Sequence, residues 1–551
     1  MLEGFTPWTE ERARTYRERG YWEGVTIFEM VARTASRHPE KPALVAAERR
    51  ISYRELVAVA ERLAARLAEA DLRPLDRVVM QLPNTPDFAF TYLALTRLGA
   101  IPVMALRAHR LTEVRHFINA SGAVDYVIPD QLARFDHRAL AERLRDECPT
   151  LRRVWVAGEP ADGQRPLRSM IDEPMDADRV KERLRAIRAE PSDVATLLLS
   201  GGTTSLSKLI PRTHDDYVLN ARLCGAAAWF GEDTVFMAIL PLGHNYNLAS
   251  PGMLGTFYYG GTVVLAPSAD ADEVFSLVER ERVTVIAAVV PLITTWLGSD
   301  APDRYRLDSL RAIQNGGARL APELRVRLRE RLGCVPQEIY GTAEGLINMT
   351  RLDDPDELLL HSSGAPVCPD DEIKVIDDKG RELGDGADGE LVTRGPYTIN
   401  GYYNAGEKNR EAFTPDGFYR MGDVVRKRGR YVWAEGRKKD LINRGGEKIS
   451  CEEVENLILR HPKVKAVSLV AMPDQRFGEK ACAFVIPREG QTLSFEELLA
   501  FLRAQDIAAF KLPERLEVVS EFPLSPVGKI LKRELRERIA ETLAREAEAR
   551  G

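Results

Sequence analysis

Short apolar runs alternate with amphipathic stretches along the first two thirds of the chain. Val78-Val79-Met80 has the length and continuity of a buried strand, and Phe88–Leu98 after it is long enough for a helix. A capping-box pattern at Ser52 and Glu55 predicts a helix that includes Leu56–Ala68. Because apolar strands separated by helices are typical of parallel sheets covered on both faces, we predict an α/β fold. The same rhythm recurs at Ile101-Pro102-Val103, Tyr126-Val127-Ile128, Val154-Trp155-Val156, Val263-Val264-Leu265 and Val283–Val290.

The pattern changes after residue 370, where short strands and polar, glycine-rich turns predict a small distorted β-barrel or sheet. Beyond the charged junction at Lys439, Ser450 and Ser494 are predicted to cap helices that accompany two apolar strands. We therefore expect a large N-terminal domain of parallel α/β sheets plus the small barrel over residues 1–438, and a small α+β domain over residues 439–551. The charged stretch from Leu531 to Arg550 is predicted to be a solvated helix.

Composition and charge exclude several classes of protein. A chain of 551 residues is longer than one hydrophobic core usually supports, so more than one domain is expected. Its net charge of -6 argues against a general nucleic-acid partner, and its apolar runs are too short for a bilayer span. The N-terminus lacks the pattern of a signal peptide, and the six scattered cysteines form no CxxC pair. We expect reduced thiols, a cytoplasmic protein and no membrane partner.

The loop from Ser200 to Lys208 has the composition of a phosphate-binding loop. It follows the apolar run Thr196–Leu199 and reads Ser-Gly-Gly-Thr-Thr-Ser-Leu-Ser-Lys. Glycines let backbone N–H groups approach an anion, hydroxyls add donors, and the lysine supplies positive charge. The loop is not a P-loop, because the Gly-Lys-Ser/Thr ending is absent. A surface turn is the alternative.

Three further clusters carry candidate chemistry. Tyr340 beside Gly341 could cover a purine ring, and Glu344 could hold Mg²⁺ against phosphate oxygens, although a plain turn has the same composition. Asp423 after a glycine turn could accept the hydroxyls of a ribose or could cap its own turn. Lys529 follows a glycine turn near the C-terminus and, taken alone, reads as a surface lysine.

Together and in this order, these clusters resemble the adenylate-forming superfamily of acyl-CoA synthetases, luciferases and nonribosomal-peptide adenylation domains. The resemblance covers about residues 25–540 and is closer still to the stand-alone aryl-acid–AMP ligases of catechol siderophore synthesis. Departures from the superfamily pattern are Ser205, Ser207 and Ala343, of which Ala343 is common in aryl-acid ligases. The segments that carry the resemblance are Lys208–His214, His244-Asn245-Tyr246, Ser250-Pro251-Gly252, Ala343–Leu346 and Ile442–Lys448.

The resemblance implies ATP and Mg²⁺ as cofactors and assigns roles to residues of this chain. The implied catalytic residues are Lys529, which would bridge the carboxylate and the α-phosphate, and His244, which would line the carboxylate end of the acyl pocket. Glu344 is the implied metal ligand. Lys439 is the implied hinge of a mobile C-terminal domain. The implied thiolation face of that domain comprises Gly445, Gly446 and Lys448. The implied ATP-binding residues are Ser200, Gly201, Gly202, Thr203, Thr204, Lys208, Gly316, Gly317, Ala318, Ile339, Tyr340, Gly341, Thr342, Asp423 and Arg437, and the implied acid-binding residues are Asn245, Tyr246, Ser250, Gly316 and Ile347.

The acyl pocket bears on the identity of the acid. The resemblance places Asn245 where an amide binds the ortho-hydroxyl of the ring, and Ser250 where catechol-acid enzymes tend to have serine and salicylate enzymes cysteine. At the position of Ile347, catechol-acid enzymes typically have the smaller valine and salicylate enzymes have leucine, so isoleucine favours neither group. We therefore expect 2,3-dihydroxybenzoate, with salicylate or 3-hydroxypicolinate as alternatives. The expected thiol donor is a separate phosphopantetheinylated aryl carrier protein. An aryl-CoA ligase and a non-catalytic homologue are the competing hypotheses.

Overall fold

The computed structural model describes residues 1–200, 207–438, 440–444, 447–474, 476–505, 507–525 and 528–548, with the side chains of residues 448, 547 and 548 left out. The chain folds into two compact units. The first comprises Met1–Leu320, Leu324–Glu372 and Thr393–Tyr419, and the second comprises Ala321–Glu323, Ile373–Val392 and Arg420–Gly551. The predicted division into residues 1–438 and 439–551 stays a prediction.

The strands, numbered in chain order, are β1 Pro42–Ala46, β2 Arg49–Ser52, β3 Arg77–Met80, β4 Ile101–Met104, β5 Asp125–Pro129, β6 Gln131–Leu132, β7 Phe135–Asp136, β8 Arg153–Ala157, β9 Arg165–Pro166, β10 Val194–Leu199, β11 Leu209–Thr213, β12 Val235–Ala238, β13 Thr262–Leu265, β14 Val285–Ala288, β15 Ala312–Gly316, β16 Val335–Thr342, β17 Gly345–Met349, β18 Ala365–Pro366, β19 Glu372–Ile376, β20 Asp388–Arg394, β21 Tyr419–Arg428, β22 Tyr431–Arg437, β23 Ile442–Arg444, β24 Glu447–Ile449, β25 Val464–Asp474, β26 Gly478–Pro487 and β27 Arg515–Val518.

The α-helices are α1 Glu10–Glu18, α2 Ile27–Arg37, α3 Tyr53–Glu69, α4 Pro86–Leu98, α5 Leu111–Ser121, α6 His137–Glu147, α7 Leu167–Asp172, α8 Ala177–Leu184, α9 His214–Ala227, α10 Asn245–Ala249, α11 Gly252–Tyr259, α12 Ala271–Glu281, α13 Val290–Gly298, α14 Pro322–Leu332, α15 Asp356–His361, α16 Gly406–Ala412, α17 Cys451–Leu459, α18 Phe495–Arg503 and α19 Lys532–Glu548; short 3₁₀ turns span Ala301–Asp303 and Ala509–Lys511. None of these helices in the described ranges combines the length and the apolar character that crossing a membrane requires.

Two mixed, mostly parallel sheets form the framework of the described part of the first unit. One runs in the order β11-β10-β4-β3-β5-β8-β9, and the other in the order β18-β17-β16-β15-β14-β12-β13-β1-β2. Parallel neighbours follow from the strand–helix–strand rhythm, since the crossovers pass through helices except at the short β8·β9 pair. Antiparallel pairs occur near the edges, at β10·β11, β16·β17, β17·β18 and β1·β2. The predicted α/β class is confirmed. Of the barrel and the sheet predicted after residue 370, the short strands form a sheet, with the strand order β19-β20-β21-β22.

The C-terminal part of the second unit is built on the β25·β26 pair. Alternate residues face opposite sides of a strand, so Leu469 enters one apolar cluster under α17 and α18, and Val470 enters another under α19. The prediction of a solvated C-terminal helix is wrong for one face of α19. Leu535 and Ile539 are buried there, because the continuous apolar run of β25 exposes a second face that must be covered.

Candidate active site

The ends of the predicted phosphate loop are held together by the β10·β11 hairpin. The N–H of Ser200 donates to the carbonyl of Lys208 at 3.0 Å, and the N–H of Lys208 donates back to Ser200 Oγ at 2.9 Å. Lys208 is therefore fixed at the point where β11 begins. The predicted residues Gly201, Gly202, Thr203 and Thr204 lie outside the described residues.

Lys208 shares an aromatic partner with the predicted metal ligand. Its ammonium lies 3.9 Å from the centre of the Tyr402 ring, and the Tyr402 hydroxyl donates to Glu344 Oε1 at 2.8 Å. Burial, reinforced by the Glu344 carboxylate, raises the pKa of Tyr402, so its hydroxyl stays protonated and acts as a donor. Sequence reasoning missed Tyr402. The only available signal is its Gly-Tyr-Tyr-Asn setting, which by itself indicates a turn.

The turn that carries Glu344 is held by one bond of its own and by two other parts of the first unit. It joins β16 to β17, and within it Thr342 Oγ1 donates to the Gly345 carbonyl at 3.1 Å. The Glu344 carbonyl accepts from the N–H of Ile399 at 2.8 Å. The guanidinium of Arg212 donates to the carbonyl of Ala343 at 2.9 Å. These bonds fix the backbone on both sides of the carboxylate, which is itself mostly buried.

Arg212 is a second supporting residue that sequence reasoning did not single out. Its side chain is completely buried, and it forms an ion pair of 2.7 Å with Asp216, which is equally buried. A second donor of the guanidinium bonds the carbonyl of Tyr397 at 3.2 Å. The planar fork of arginine satisfies all these acceptors at once, which the point charge of a lysine does not do.

The residues predicted to enclose the adenine lie together where β15 and β16 end. Gly316 is the partner of Ile339 across the parallel pair, and Gly341 faces Ile347 on β17. A Cβ atom at Gly316 would lie only 2.8 Å from the ring of Tyr246, so only glycine admits that ring. At the carboxyl ends of these two neighbouring strands, in the nine-stranded sheet of the described chain, the structure thus brings together Gly316, Gly317, Ala318, Ile339, Tyr340, Gly341 and Thr342.

Two of the predicted acid-binding residues belong to a buried hydrogen-bond network. Tyr217 donates its hydroxyl to Asn245 Oδ1 at 2.8 Å, and Asn245 Nδ2 donates to Ser250 Oγ at 3.2 Å. Asn220 also donates to Ser250 Oγ, at 3.1 Å. Tyr217 and Asn220 lie on α9 and were missed, because nothing in their sequence separates them from ordinary buried helix residues. The network holds the Asn245 amide in one orientation.

His244 caps the short helix that carries Asn245 and Tyr246. Its Nδ1 accepts from the N–H of Tyr246 at 3.3 Å, and the imidazole is half-buried. His214, by contrast, is buried, and its Nδ1 accepts from the N–H of Ile27, which is a structural contact. Within the described ranges, no cluster of three or more His, Cys, Asp and Glu side chains could hold a metal ion by itself.

In the second unit, the two predicted ribose residues form an ion pair. Asp423 faces Arg437 across β21·β22, and Arg437 Nε lies 2.8 Å from Asp423 Oδ1. Lys529 is exposed on a turn in which its N–H donates to Ser525 Oγ at 3.0 Å and its carbonyl accepts from the Ser525 N–H at 2.7 Å. The predicted hinge Lys439 and the predicted thiolation residues Gly445 and Gly446, with the side chain of Lys448, lie outside the described residues.

Comparison with known proteins identifies the family. Residues 31–403 match the family described as AMP-binding enzyme, and residues 453–529 match the AMP-binding enzyme C-terminal domain. The chain belongs to the AMP-binding enzyme family. It is therefore an enzyme of a family that uses ATP, which rules out the competing hypothesis of a non-catalytic homologue.

Similar proteins cover nearly the whole chain. A 2,3-dihydroxybenzoate-AMP ligase of Bacillus subtilis is 47% identical over 98% of this chain and 99% of its own length. A salicylyl-CoA synthase/salicylate adenylyltransferase of a Streptomyces species is 46% identical over 97% of both chains. The apo structure of MbtA from Mycobacterium smegmatis is 40% identical, covers 97% of this chain and 99% of its own, and has a TM-score of 0.74.

Proposed function

We propose that this enzyme activates an ortho-hydroxylated aryl acid with ATP, most specifically 2,3-dihydroxybenzoate, for siderophore or related nonribosomal peptide synthesis. The products of the first step are the aryl-adenylate and pyrophosphate. The observation that carries the proposal is the buried network of Tyr217, Asn245 and Ser250, which presents polar groups where an apolar acyl pocket would have none. The names of two relatives, a 2,3-dihydroxybenzoate-AMP ligase and a salicylyl-CoA synthase/salicylate adenylyltransferase, support it.

The chemistry needs positioning and cations more than a strong base. A carboxylate oxygen attacks the α-phosphorus, the bond from that phosphorus to the bridging oxygen of the β-phosphate breaks, and pyrophosphate leaves with the electron pair. Two anions must approach each other, so Lys529 would bridge the carboxylate and the α-phosphate. Lys208 and the hydroxylated loop that it ends would bind the phosphates, while Asp423 and Arg437 would hold the ribose.

Mg²⁺ fits the donor set around Glu344. Mg²⁺ prefers hard oxygen ligands and is usually held by one or two carboxylates together with substrate phosphates. Glu344 offers one such carboxylate, with one oxygen already oriented by Tyr402. When bound, the ion would neutralise charge on the phosphate oxygens. The protein's own contribution is to hold Glu344 by the backbone bonds of its turn.

The hydrogen-bond donors that remain in the network favour a catechol acid. Ser250 Oγ accepts from both Asn245 and Asn220, so its own proton remains to be donated. Within the protein it can reach the thiol of Cys224, whose sulfur is a weak acceptor. The oxygen of a 3-hydroxyl on the substrate is a stronger acceptor at that point. The second N–H of Asn245 Nδ2 is likewise available for the oxygen of a 2-hydroxyl.

For the second step we propose transfer to the phosphopantetheine thiol of a separate carrier protein. The thiol sulfur forms the thioester bond at the acyl carbon, AMP leaves, and the thiol proton passes to solvent. Free coenzyme A carries the same thiol and is the competing acceptor. Single-turnover transfer from the preformed adenylate to holo-carrier protein or to coenzyme A decides between them; faster transfer to coenzyme A would overturn the carrier-protein proposal.

ATP–pyrophosphate exchange with a panel of acids tests the first step. We expect exchange with 2,3-dihydroxybenzoate, slower exchange with salicylate and 3-hydroxypicolinate, and at least about a hundredfold lower kcat/KM with benzoate, because an unmatched buried amide penalises it. Fastest exchange with salicylate would replace the substrate but keep the class. Equal exchange with benzoate and salicylate would refute the role of Asn245.

A further inference from the structure

We propose that Tyr402 is a positioning residue that holds Lys208 and Glu344 in one arrangement for the nucleotide. Its ring face lies against the Lys208 ammonium at 3.9 Å, and its hydroxyl edge donates to Glu344 at 2.8 Å. Both partners are residues to which the proposed function gives phosphate and metal roles, so the inference rests on that function. One side chain thereby couples the cation at the end of the phosphate loop to the carboxylate of the β16–β17 turn.

The backbone around Tyr402 is anchored on both sides. Its N–H donates to Asn409 Oδ1 at 2.8 Å, and its carbonyl accepts from Asn409 Nδ2 at 3.0 Å. The next residue, Tyr403, donates its N–H to the carbonyl of Leu209, the immediate neighbour of Lys208, at 2.9 Å. The segment is therefore tied directly to the strand that begins after Lys208. Tyr402 itself is 2% exposed, so its ring has one accessible arrangement.

The direction of the hydrogen bonds supports the assignment. Tyr402 has a single hydroxyl proton, and Glu344 Oε1 receives it. The Tyr419 hydroxyl lies 3.2 Å from the Tyr402 oxygen, so Tyr419 is the donor of that second bond. A chain of hydroxyls thus ends on the carboxylate and fixes one of its two oxygens. When one carboxylate oxygen is fixed, the other oxygen points in a constant direction. Hydrogen-bond partners of metal ligands orient those ligands in this way.

The two contacts of Tyr402 can be removed separately. Tyr402→Phe keeps the ring face under Lys208 and deletes the donor to Glu344, whereas Tyr402→Leu deletes both. We expect Tyr402→Phe to bind metal-free ATP with a Kd within about twofold of the wild type, because the cation–π contact remains. Its affinity for Mn²⁺ in the presence of ATP, measured by electron paramagnetic resonance titration, should fall by about tenfold.

Tyr402→Leu should lose the Lys208 contact as well. We expect its Kd for metal-free ATP, measured by isothermal titration calorimetry in chelator, to rise about fivefold. A double-mutant comparison with Lys208→Met tests whether the loss acts through the ammonium. In the Lys208→Met background, Tyr402→Leu should cause no further loss of ATP affinity. Tyr403→Phe is the matched control, because it changes the adjacent buried tyrosine and should leave both affinities within about twofold of the wild type.

The split between the two ligands is the readout that a purely structural role would not produce. Unchanged affinities in both Tyr402 variants would overturn the proposal. So would a uniform loss of ATP and Mn²⁺ affinity in Tyr402→Phe, with a lowered Tm and no separation between the two ligands. If the wild type shows no exchange with any aryl acid, the proposed function fails. The metal-free ATP titrations still judge the Lys208 contact in that case.

Discussion

At the scale of single residues, buried polar side chains that bond to one another form the proposed acyl end of the site. Asn245 and Ser250 were predicted from their positions in motifs, and the structure shows that they are hydrogen-bonded to each other. Tyr217 and Asn220 could not be predicted, since their partners lie more than twenty residues further along the chain. Sequence motifs therefore gave the residues proposed to bind the acid, and tertiary structure was needed to find the residues that orient them.

Tyr217→Phe is expected to weaken acid selection. It leaves Asn245 Oδ1 buried without its donor, which should lower the free energy of unfolding by about 1–3 kcal/mol and let the amide turn. The ratio of kcat/KM for salicylate over benzoate should fall by about tenfold. Urea unfolding and pyrophosphate exchange measure both effects. Tyr53→Phe, which also removes a buried hydroxyl bond, to Gly261, should cost stability without changing the ratio; a ratio that stays the same in Tyr217→Phe contradicts the prediction.

Asp215 predicts a pH dependence of stability. Burial is the main cause that raises the pKa of Asp215 to about 6, against an attraction to Arg17 at 3.6 Å. The folded state therefore holds this proton more tightly than the unfolded chain, so the stability it contributes is present below about pH 4 and is lost as the pH rises through 6.

Asp215→Asn should consequently raise Tm at pH 8 and change it much less at pH 4.5, with a gain of about 1–3 kcal/mol at the higher pH. Asp356→Asn is the control of opposite sign, because Arg329 lowers the pKa of that exposed carboxyl. Thermal unfolding at the two pH values provides the measurement. A gain that is equal at both pH values, or a loss at pH 8, would contradict the assignment.

At the scale of elements, periodicity located the regular parts of the fold and missed the connections between distant segments. The predicted strand at Val78-Val79-Met80 lies within β3, and the predicted helix Phe88–Leu98 lies within α4. The run Val283–Val290 was predicted as one strand, but β14 covers only Val285–Ala288 and α13 begins at Val290, because Pro291 suits the first turn of a helix. The Tyr402 segment joins elements far apart in sequence, which local patterns do not encode.

Arg212 links β11 to the Glu344 turn, and its removal tests that link. Arg212→Met leaves Asp216 buried without its cation and frees the carbonyls of Ala343 and Tyr397, so the free energy of unfolding should fall by about 3–5 kcal/mol. Arg212→Lys, which keeps the charge without the fork, should lose less and still allow measurement if the first variant does not fold.

Urea unfolding of both variants, beside Arg329→Met, gives the comparison. Arg329 forms an exposed pair with Asp356, and its loss should cost far less, because solvent screens an exposed pair. If Arg212→Met costs no more than Arg329→Met, the buried ion pair does not support the turn.

At the scale of the whole molecule, the proposed chemistry draws on both compact units. Lys208 and Glu344 belong to the first, and Asp423, Arg437 and Lys529 belong to the second. The motifs of the second unit could be recognised only through the resemblance to the family, since a lysine on a glycine turn carries little information by itself. The family matches of residues 31–403 and 453–529 include every one of these residues except Asp423 and Arg437.

Lys529→Ala should separate binding from chemistry. Removing the cation that would bridge the two anions should lower exchange by about 100- to 1000-fold, while the Kd for ATP stays within about twofold. Lys465→Ala, an exposed lysine of the same unit, serves as the control with unchanged exchange. Exchange at the wild-type rate in Lys529→Ala would contradict the assigned role.

The most direct test of the central claim is a competition in one reaction. The enzyme is incubated with Mg²⁺·ATP and equal concentrations of 2,3-dihydroxybenzoate, salicylate and benzoate, and the enzyme-bound acyl-adenylates are identified by mass spectrometry. The account predicts 2,3-dihydroxybenzoyl-AMP as the main product, with salicyl-AMP as the minor one. Benzoyl-AMP in comparable amount, or no acyl-adenylate at all, would contradict it.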